Sequence, residues 1–513
     1  MKKKGFVYLV GAGPGDTGLM TLRGAEVMAR ADVVVYDALV NADLLRLAPR
    51  EAEIIFGGKR AKCRSIPQGE KNQLLVEKAL EGKIVVRLKG GDPYIFGRGA
   101  EEAEELVAAG IPFEVVPGVS SISAVPNYAG IPLTHRELSS GFTVITGHEH
   151  SDKPEDEVDW AQVANSPGTK VVMMATERMG EIARRLIAQG MPPKTPVAMV
   201  RWGTTGQQQS IDGTLATIGE VVTKTGFHAP SVTVIGDVVK LRDRLNWFEK
   251  RPLFGQRVVV TRARDQAGHF ARQFAELGAE VLEIPTIKIV PPEQKENLKD
   301  AMLALNEYDW IVFTSTNGVT EFFNYFFKAF DDMRDIGGPR IAAVGPSTAA
   351  KLQELHLKVD VMPKEYVASE IVRALTQYQD IENVRILLLR AEVANPDLPR
   401  ELEKCGAIVD DVACYRTVPE MDDISGAAAR LIEGGADWIT FTSGSTVACF
   451  HERFNLPELK SKYPKLRLAS IGPETSKAIR TLKLEPDIEA REHTMDGLVA
   501  ALIKAKKPRI KGG

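Results

Sequence analysis

The sequence predicts an α/β protein of several units with largely parallel sheets, and three observations carry that reading. Short apolar runs alternate with amphipathic stretches along the whole chain, as at 6–10, 33–36, 84–88, 258–261 and 311–314. Glycine- or hydroxyl-rich loops directly follow several of these runs, the pattern of strand-to-helix turns in doubly wound sheets. At 513 residues the chain is also too long for one core.

Bulk composition narrows the class. Hydrophobic residues make up 44% and charged residues 26%, an ordinary balance for a globular protein. The formal charge of −3 supplies no global field for nucleic acid or an anionic membrane, so an acidic ligand would need a local basic site. Cys63, Cys405, Cys414 and Cys449 are scattered without a C-x-x-C pair, which argues against a disulfide framework and a zinc knuckle. The opening MKKKGFVYLVGAGPGD has too short an apolar core for a secretory segment, and no stretch suits a membrane span. A reduced cytoplasmic protein is expected.

The chain divides at 241–257, where an amphipathic stretch ends in Arg251–Pro252 and Gly255 before a new strand. Residues 1–246 form one part, 247–256 a linker and 257–513 a second part that repeats itself. RVVVTR at Arg257 returns as RILLLR at Arg385, and LGAEVLEIPTIKIV at Leu277 as CGAIVDDVACYRTV at Cys405, both at an offset of 128. DWIVFTSTNGV at Asp309 returns as DWITFTSGSTV at Asp437, again at 128, and RIAAVGPSTAAKL at Arg340 as RLASIGPETSKAI at Arg467, at 127. A duplication of one small doubly wound unit explains the series. Two lobes are expected, one of 257–290 plus 416–505 and the other of 291–415, with a ligand cleft between matching loops.

In the first part, GAGPGD at 11–16 invites a dinucleotide reading. The third glycine of G-x-G-x-x-G is replaced by Asp16, and Pro14 intervenes. Taken alone, this loop is better accounted for by a tight strand-to-helix turn needing positive φ. Two further loops follow apolar runs: LKGGDPYIFGRGAEE with Gly90, Gly91 and Asp92, and VVPGVSS with Ser120 and Ser121. Three such loops suggest one composite site on the carboxyl edge of a sheet, the lobes dividing near 117–140. Asp37 after VVVY reads either as a helix cap or as a base. The cluster Lys59, Arg60, Lys62 and Arg64 reads as a solvated face or an anion site, and Arg87, Lys89, Arg98 and Arg136 are further cations beside the loops.

VYLVGAGPGD, ADVVVYDALV, FGGKRA with PQGEKN, VVRLKGGDPYIFGRGAEE, VVPGVSS with YAGIPLTHR, VITGH and LNWFE occur in the order found in uroporphyrinogen-III C-methyltransferases, which residues 5–249 resemble. The resemblance implies a two-lobed tetrapyrrole-methylase fold, S-adenosylmethionine as cofactor, no metal, and two methylations of uroporphyrinogen III to precorrin-2. It also implies a homodimer formed through this half. Carried over by motif, Pro14, Gly90, Gly91, Asp92, Ile95, Ser120, Ser121, Met174 and Gly203 contact the cofactor. Ser120–Ser121 stands where many members have Thr-Ala, and Ala175 replaces the glycine usual after the methionine. Asp37 is the implied proton acceptor and Lys59 the donor, while Arg60 and Arg98 are placed to meet substrate carboxylates.

Residues 257–505 resemble uroporphyrinogen-III synthases through VVVTRAR, FTSTNGV, AAVGPSTA, ILLLR, VACYRTV, FTSGSTV and IGPETSKA. That resemblance implies closure of hydroxymethylbilane with inversion of its last ring. Steering a flexible cation suits hydroxyls and amides at strand ends more than a strong nucleophile. Thr314, Ser315, Thr316, Ser347, Thr442, Ser443 and Ser445 are the substrate-binding candidates, although helix capping accounts for several of them. Arg262 is placed to pair with a side-chain carboxylate, as is Lys364. Tyr415 matches the tyrosine offered as acid for hydroxyl departure. A non-catalytic ligand sensor built on the duplicated half is the competing reading, and enzymatic turnover would dispose of it.

Overall fold

The computed structural model describes residues 5–58, 67–147, 158–262, 264–363, 368–423 and 425–505. Strands β1 (Phe6–Gly11), β2 (Val33–Tyr36), β3 (Glu53–Phe56), β4 (Ile84–Lys89) and β5 (Phe113–Val116) form a first sheet in the order β3-β2-β4-β1-β5. All its pairings are parallel. Helices cover both faces, so strands such as VVVY are buried at every residue rather than alternating. The order makes β2, β4, β1 and β5 consecutive neighbours, and their carboxyl ends therefore stand in one row.

The next sheet holds β6 (Phe142–Thr146), β7 (Thr169–Met173), β8 (Pro196–Arg201), β9 (Gln209–Thr214) and β10 (Ser231–Ile235), in the order β6-β7-β10-β8-β9. Here the expectation of largely parallel sheets gives way. Only β6 and β7 are parallel, whereas β10 is antiparallel to both neighbours and β8 to β9. The seven-residue turn 202–208 cannot hold a crossover helix, so β8 and β9 must close as a hairpin.

The remaining strands are β11 (Arg257–Val260), β12 (Glu280–Glu283), β13 (Ile287–Val290), β14 (Trp310–Phe313), β15 (Arg340–Ala343), β16 (Arg385–Ala391), β17 (Ile408–Pro419), β18 (Trp438–Phe441), β19 (Arg467–Ser470) and β20 (Ile488–Glu489). They make two sheets, β12-β11-β18-β19-β20 and β13-β17-β16-β14-β15. By the repeat, β16, β17, β14 and β15 answer to β11, β12, β18 and β19, so the two lobes share a strand order but start at different points of it. The lobe boundary differs from the expected one. Lobes exchange near Pro285 and Glu420 because β13 pairs antiparallel with 416–419 of β17, which places 287–290 and 416–419 in the second lobe.

Residues 247–256 are a packed joint. Phe248, Leu253 and Phe254 are buried, Leu253 belongs to the same apolar cluster as Val258 and Phe274, and its amide donates to the Leu277 carbonyl at 2.8 Å. The two halves also meet through β12. Glu283 pairs with Arg46 of the first lobe, and Glu280 accepts a hydrogen bond from Gln207 beyond β8.

Candidate functional sites

At the carboxyl edge of the first sheet the row reads Gly57 after β3, Asp37 after β2, Gly90–Asp92 after β4, Gly11–Asp16 from β1 and Pro117–Ser120 after β5. Strand order alone thus brings together the first-lobe candidates that the sequence spreads over 14–120. The loops touch through backbone. Gly13 and Gly91 exchange both hydrogen bonds, at 3.2 and 2.7 Å. A Cβ on Gly118 would stand 2.3 Å from the Gly91 carbonyl oxygen, so only glycine permits this approach. Asp92 ties the loops together, its Oδ1 accepting from Tyr94 N at 2.9 Å and its Oδ2 from Gly118 N at 3.1 Å. Its carboxylate serves as a backbone clasp between two of the loops.

Ser120 caps the helix Ser121–Tyr128, accepting from Ile122 N at 3.3 Å. Pro14 is half-buried in the loop that reaches the second lobe, where Asp16 N donates to Thr204 Oγ1 at 3.0 Å and Asp16 accepts from the Tyr128 hydroxyl at 2.8 Å. Gly203 packs its backbone on Val125 of that helix. Met174 stands at the carboxyl end of β7, half-exposed, as is Ile95. Among the described residues of the first half, every non-glycine residue with positive φ lies on these loops: Phe96 (52°), Arg98 (60°), Met174 (53°), Trp202 (48°) and Thr204 (69°). Backbone held in such conformations concentrates at ligand sites. Close-approaching glycine backbones, with Ile95 and Met174 exposed at strand-end loops, suit a ligand that lies against main chain.

Asp37 Oδ2 accepts a 2.5 Å hydrogen bond from Arg87, and Lys71 Nζ lies 3.6 Å from its Oδ1. Burial would raise its carboxyl, but the charge and hydrogen bond of Arg87, with Lys71 and Lys89 behind, outweigh burial and hold it below the usual carboxylate range. The expected set of cations beside the loops needs one correction. Arg87 and Lys89 are buried and committed to Glu102, at 2.9 and 3.0 Å, and so are not substrate cations. Arg98 is half-exposed and forks onto Glu101. Lys59, Arg60, Lys62, Arg64 and Lys364 lie outside the described residues.

In the second half the hydroxyl candidates again fall at strand carboxyl ends. Ser315 and Ser443, 128 residues apart, cap equivalent helices by accepting from Gly318 N at 3.0 Å and Thr446 N at 3.3 Å. Thr314 donates to the Leu389 carbonyl at 3.3 Å, Thr316 opens its helix, and Ser445 Oγ lies 2.9 Å from Ser443 Oγ. Thr442 is half-buried at the end of β18, Ser347 is exposed after β15, and Arg262 follows β11, its guanidinium lowered in pKa by burial. Tyr415 is brought to the same place from β17. Its hydroxyl lies 3.0 Å from Ser315 Oγ, and burial raises its pKa against the lowering effect of its hydrogen bonds to Ser315 and Asn317. The sequence offered no sign of the Ser470–Ser476–Glu489 chain at the start of the helix Pro473–Thr481, where Ser476 Oγ donates to Glu489 at 2.5 Å and lies 3.0 Å from Ser470 Oγ.

Fold and sites together define a tandem α/β protein whose halves each gather glycine- or hydroxyl-rich loops at strand carboxyl ends. Residues 7–219 match the family model of tetrapyrrole (corrin/porphyrin) methylases, and residues 268–500 that of uroporphyrinogen-III synthase HemD. A porphyrin biosynthesis protein HemD of Ruminiclostridium josui is 37% identical over 500 residues, covering 98% of each chain. A uroporphyrinogen-III C-methyltransferase of Bacillus subtilis is 39% identical over 66% of this chain and 70% of its own. A solved uroporphyrin-III C-methyltransferase from Thermus thermophilus, complexed with S-adenosyl homocysteine, aligns with 46% of this chain and 94% of its own at 38% identity and a TM-score of 0.40. The chain belongs to the porphyrin-biosynthesis family in which a tetrapyrrole methylase is followed by a uroporphyrinogen-III synthase.

Proposed function

We propose that the second half closes hydroxymethylbilane to uroporphyrinogen III and that the first half methylates this product twice to precorrin-2. The gathering of the glycine loops and Asp37 on one sheet edge, met there by the 202–205 turn of the second sheet, carries the methyltransferase reading. S-adenosylmethionine, when bound, supplies an electrophilic methyl group. Gly90, Gly91, Ile95, Ser120, Ser121, Met174, Pro14 and Gly203 hold it, with Asp92 fixing the loops that do so. Asp37, kept ionised by Arg87, receives the proton that the macrocycle gives up after methylation. Lys59 is the complementary donor, and Arg60 and Arg98 meet substrate carboxylates.

In the synthase half, Tyr415 assists departure of the terminal hydroxyl, and Thr314, Ser315, Thr316, Ser347, Thr442, Ser443, Ser445 and Arg262 hold the chain in its inverting conformation. A homodimer through the first half, in a reducing cytoplasmic compartment, completes the proposal. Among the described residues no helix is long and apolar enough to cross a membrane. The direct test of the methyltransferase reading follows methyl label from S-adenosylmethionine into uroporphyrinogen III. Label in precorrin-2 supports the assignment, and loss of transfer in Asp37→Asn supports the proton-acceptor role. Wild-type transfer by Asp37→Asn would end that role. Light scattering of the full chain tests the dimer.

A further inference from the structure

Behind Asp37 lies a charge cluster that the proposed chemistry does not yet use. Arg87 and Lys89 alternate along β4, so both point to the same face of the sheet. The register that sets Val35 opposite Arg87 carries Asp37 to the end of the neighbouring strand on that face. Glu102 comes down onto this face from the helix Gly99–Ala108 and is fully buried. Its Oε1 accepts from Arg87 Nε at 2.9 Å, Lys89 Nζ at 3.0 Å and Gln68 Nε2 at 3.0 Å. Among the described residues its Oε2 has no hydrogen-bond partner. Arg87 thus has two carboxylate anchors, Glu102 at its Nε and Asp37 at its Nη2.

Stability alone gives a poor account of this arrangement. Apolar residues of similar volume commonly replace buried ion clusters without loss of stability. What a fixed cluster does supply is geometry. Only the Asp37 end reaches the rim, and a guanidinium pinned at its inner edge can hold that rim carboxylate in one orientation.

We infer that Glu102 is a positioning residue for methyl transfer, anchoring Arg87 and through it the Asp37 carboxylate at the carboxyl edge. The inference rests on the reading of Asp37 as proton acceptor. The charged groups facing Asp37 are Arg87, Lys71 and Lys89; those facing Glu102 are Arg87 and Lys89, with Arg98 within reach of its field. Removing the Glu102 charge leaves Arg87 and Lys89 less neutralised. Asp37 then stays ionised to lower pH and is a weaker acceptor, while Arg87 loses its inner anchor.

The test is steady-state methylation of uroporphyrinogen III by the full chain across pH, with Glu102→Gln, Glu102→Asp and Asp37→Asn in parallel. For Glu102→Gln, kcat falls about tenfold or more, within the range of general-base effects, and the acid limb moves to lower pH. KM for S-adenosylmethionine stays within about twofold, because uniform cofactor binding is untouched. Glu102→Asp returns the limb toward its original position while recovering only part of kcat. Wild-type kcat and an unmoved limb in folded Glu102→Gln, with Asp37→Asn inactive, would overturn this inference alone. Wild-type turnover by Asp37→Asn would instead overturn the reading beneath it. If Glu102→Gln does not fold, Glu102→Gln combined with Lys89→Met removes one charge of each sign, and unchanged kcat in that variant would equally refute the role.

Discussion

Asp37 and Arg87 meet through a 2.5 Å hydrogen bond at the end of adjacent parallel strands, the carboxylate at the rim and the guanidinium wholly enclosed. Arg87 is therefore a structural cation as well as an electrostatic one. Arg87→Met leaves Glu102 buried with Lys89 as its remaining cation and should cost about 3–5 kcal/mol, the range for breaking a buried pair. Thermal unfolding of the full chain checks this, together with loss of methyl transfer as the Asp37 carboxylate loses the guanidinium that fixes its orientation.

The glycine cradle gives a contrast within one half. Gly118→Ala drives a Cβ to 2.3 Å from the Gly91 carbonyl oxygen and should abolish cofactor binding. Gly69, in the helix Gln68–Leu80, has nothing within 4 Å of where a Cβ would stand, and Gly69→Ala should stabilise by about 0.4–1 kcal/mol. Calorimetric titration with S-adenosylhomocysteine and thermal melts separate the two effects.

Glu249 makes the joint between the halves sensitive to acid. Its burial would raise its carboxyl, yet hydrogen bonds from Ser210, Gln208 and Asn246 and the charge of Arg242 leave it lowered. A lowered folded pKa contributes stability above the unfolded value and loses it as pH falls through the folded one. Stability should therefore fall with pH below the ordinary carboxylate range, about 4. Glu249→Gln should flatten that fall, measured by urea unfolding at successive pH values.

Tyr415 and Ser315 separate chemistry from capping. Ser315→Ala removes a helix cap and should cost about 1 kcal/mol. Tyr415→Phe removes one hydroxyl and should cost a comparable amount, but it should also slow formation of the type-III isomer by about tenfold if its hydroxyl assists the leaving group. Isomer analysis of the product by chromatography checks this, and an unchanged rate would leave Tyr415 a core residue.

Much of the fold was legible in the residues. The repeat offset carried over to contacts: Asp309 accepts from Arg385 N at 2.9 Å, and Asp437, 128 residues on, accepts from Arg257 N at 2.7 Å. Glycine and hydroxyl loops could be placed at strand ends because the apolar runs before them were unambiguous. Burial of Arg87, Lys89 and Glu102 was not legible, because each reads as a surface charge until strand register brings them together. The antiparallel β13–β17 ladder was missed for a related reason, since apolar periodicity identifies strands but not their partners. The packed joint looked like a linker because its proline and glycine outweighed Phe248, Leu253 and Phe254 in the local pattern.

One anaerobic reaction tests both halves most directly: hydroxymethylbilane supplied to the full chain, with and without S-adenosylmethionine. The expected products are type-III uroporphyrinogen without the cofactor and precorrin-2 with it. Type-I uroporphyrinogen alone in the cofactor-free reaction would contradict the synthase assignment, and type-III product that is never methylated would contradict the methyltransferase.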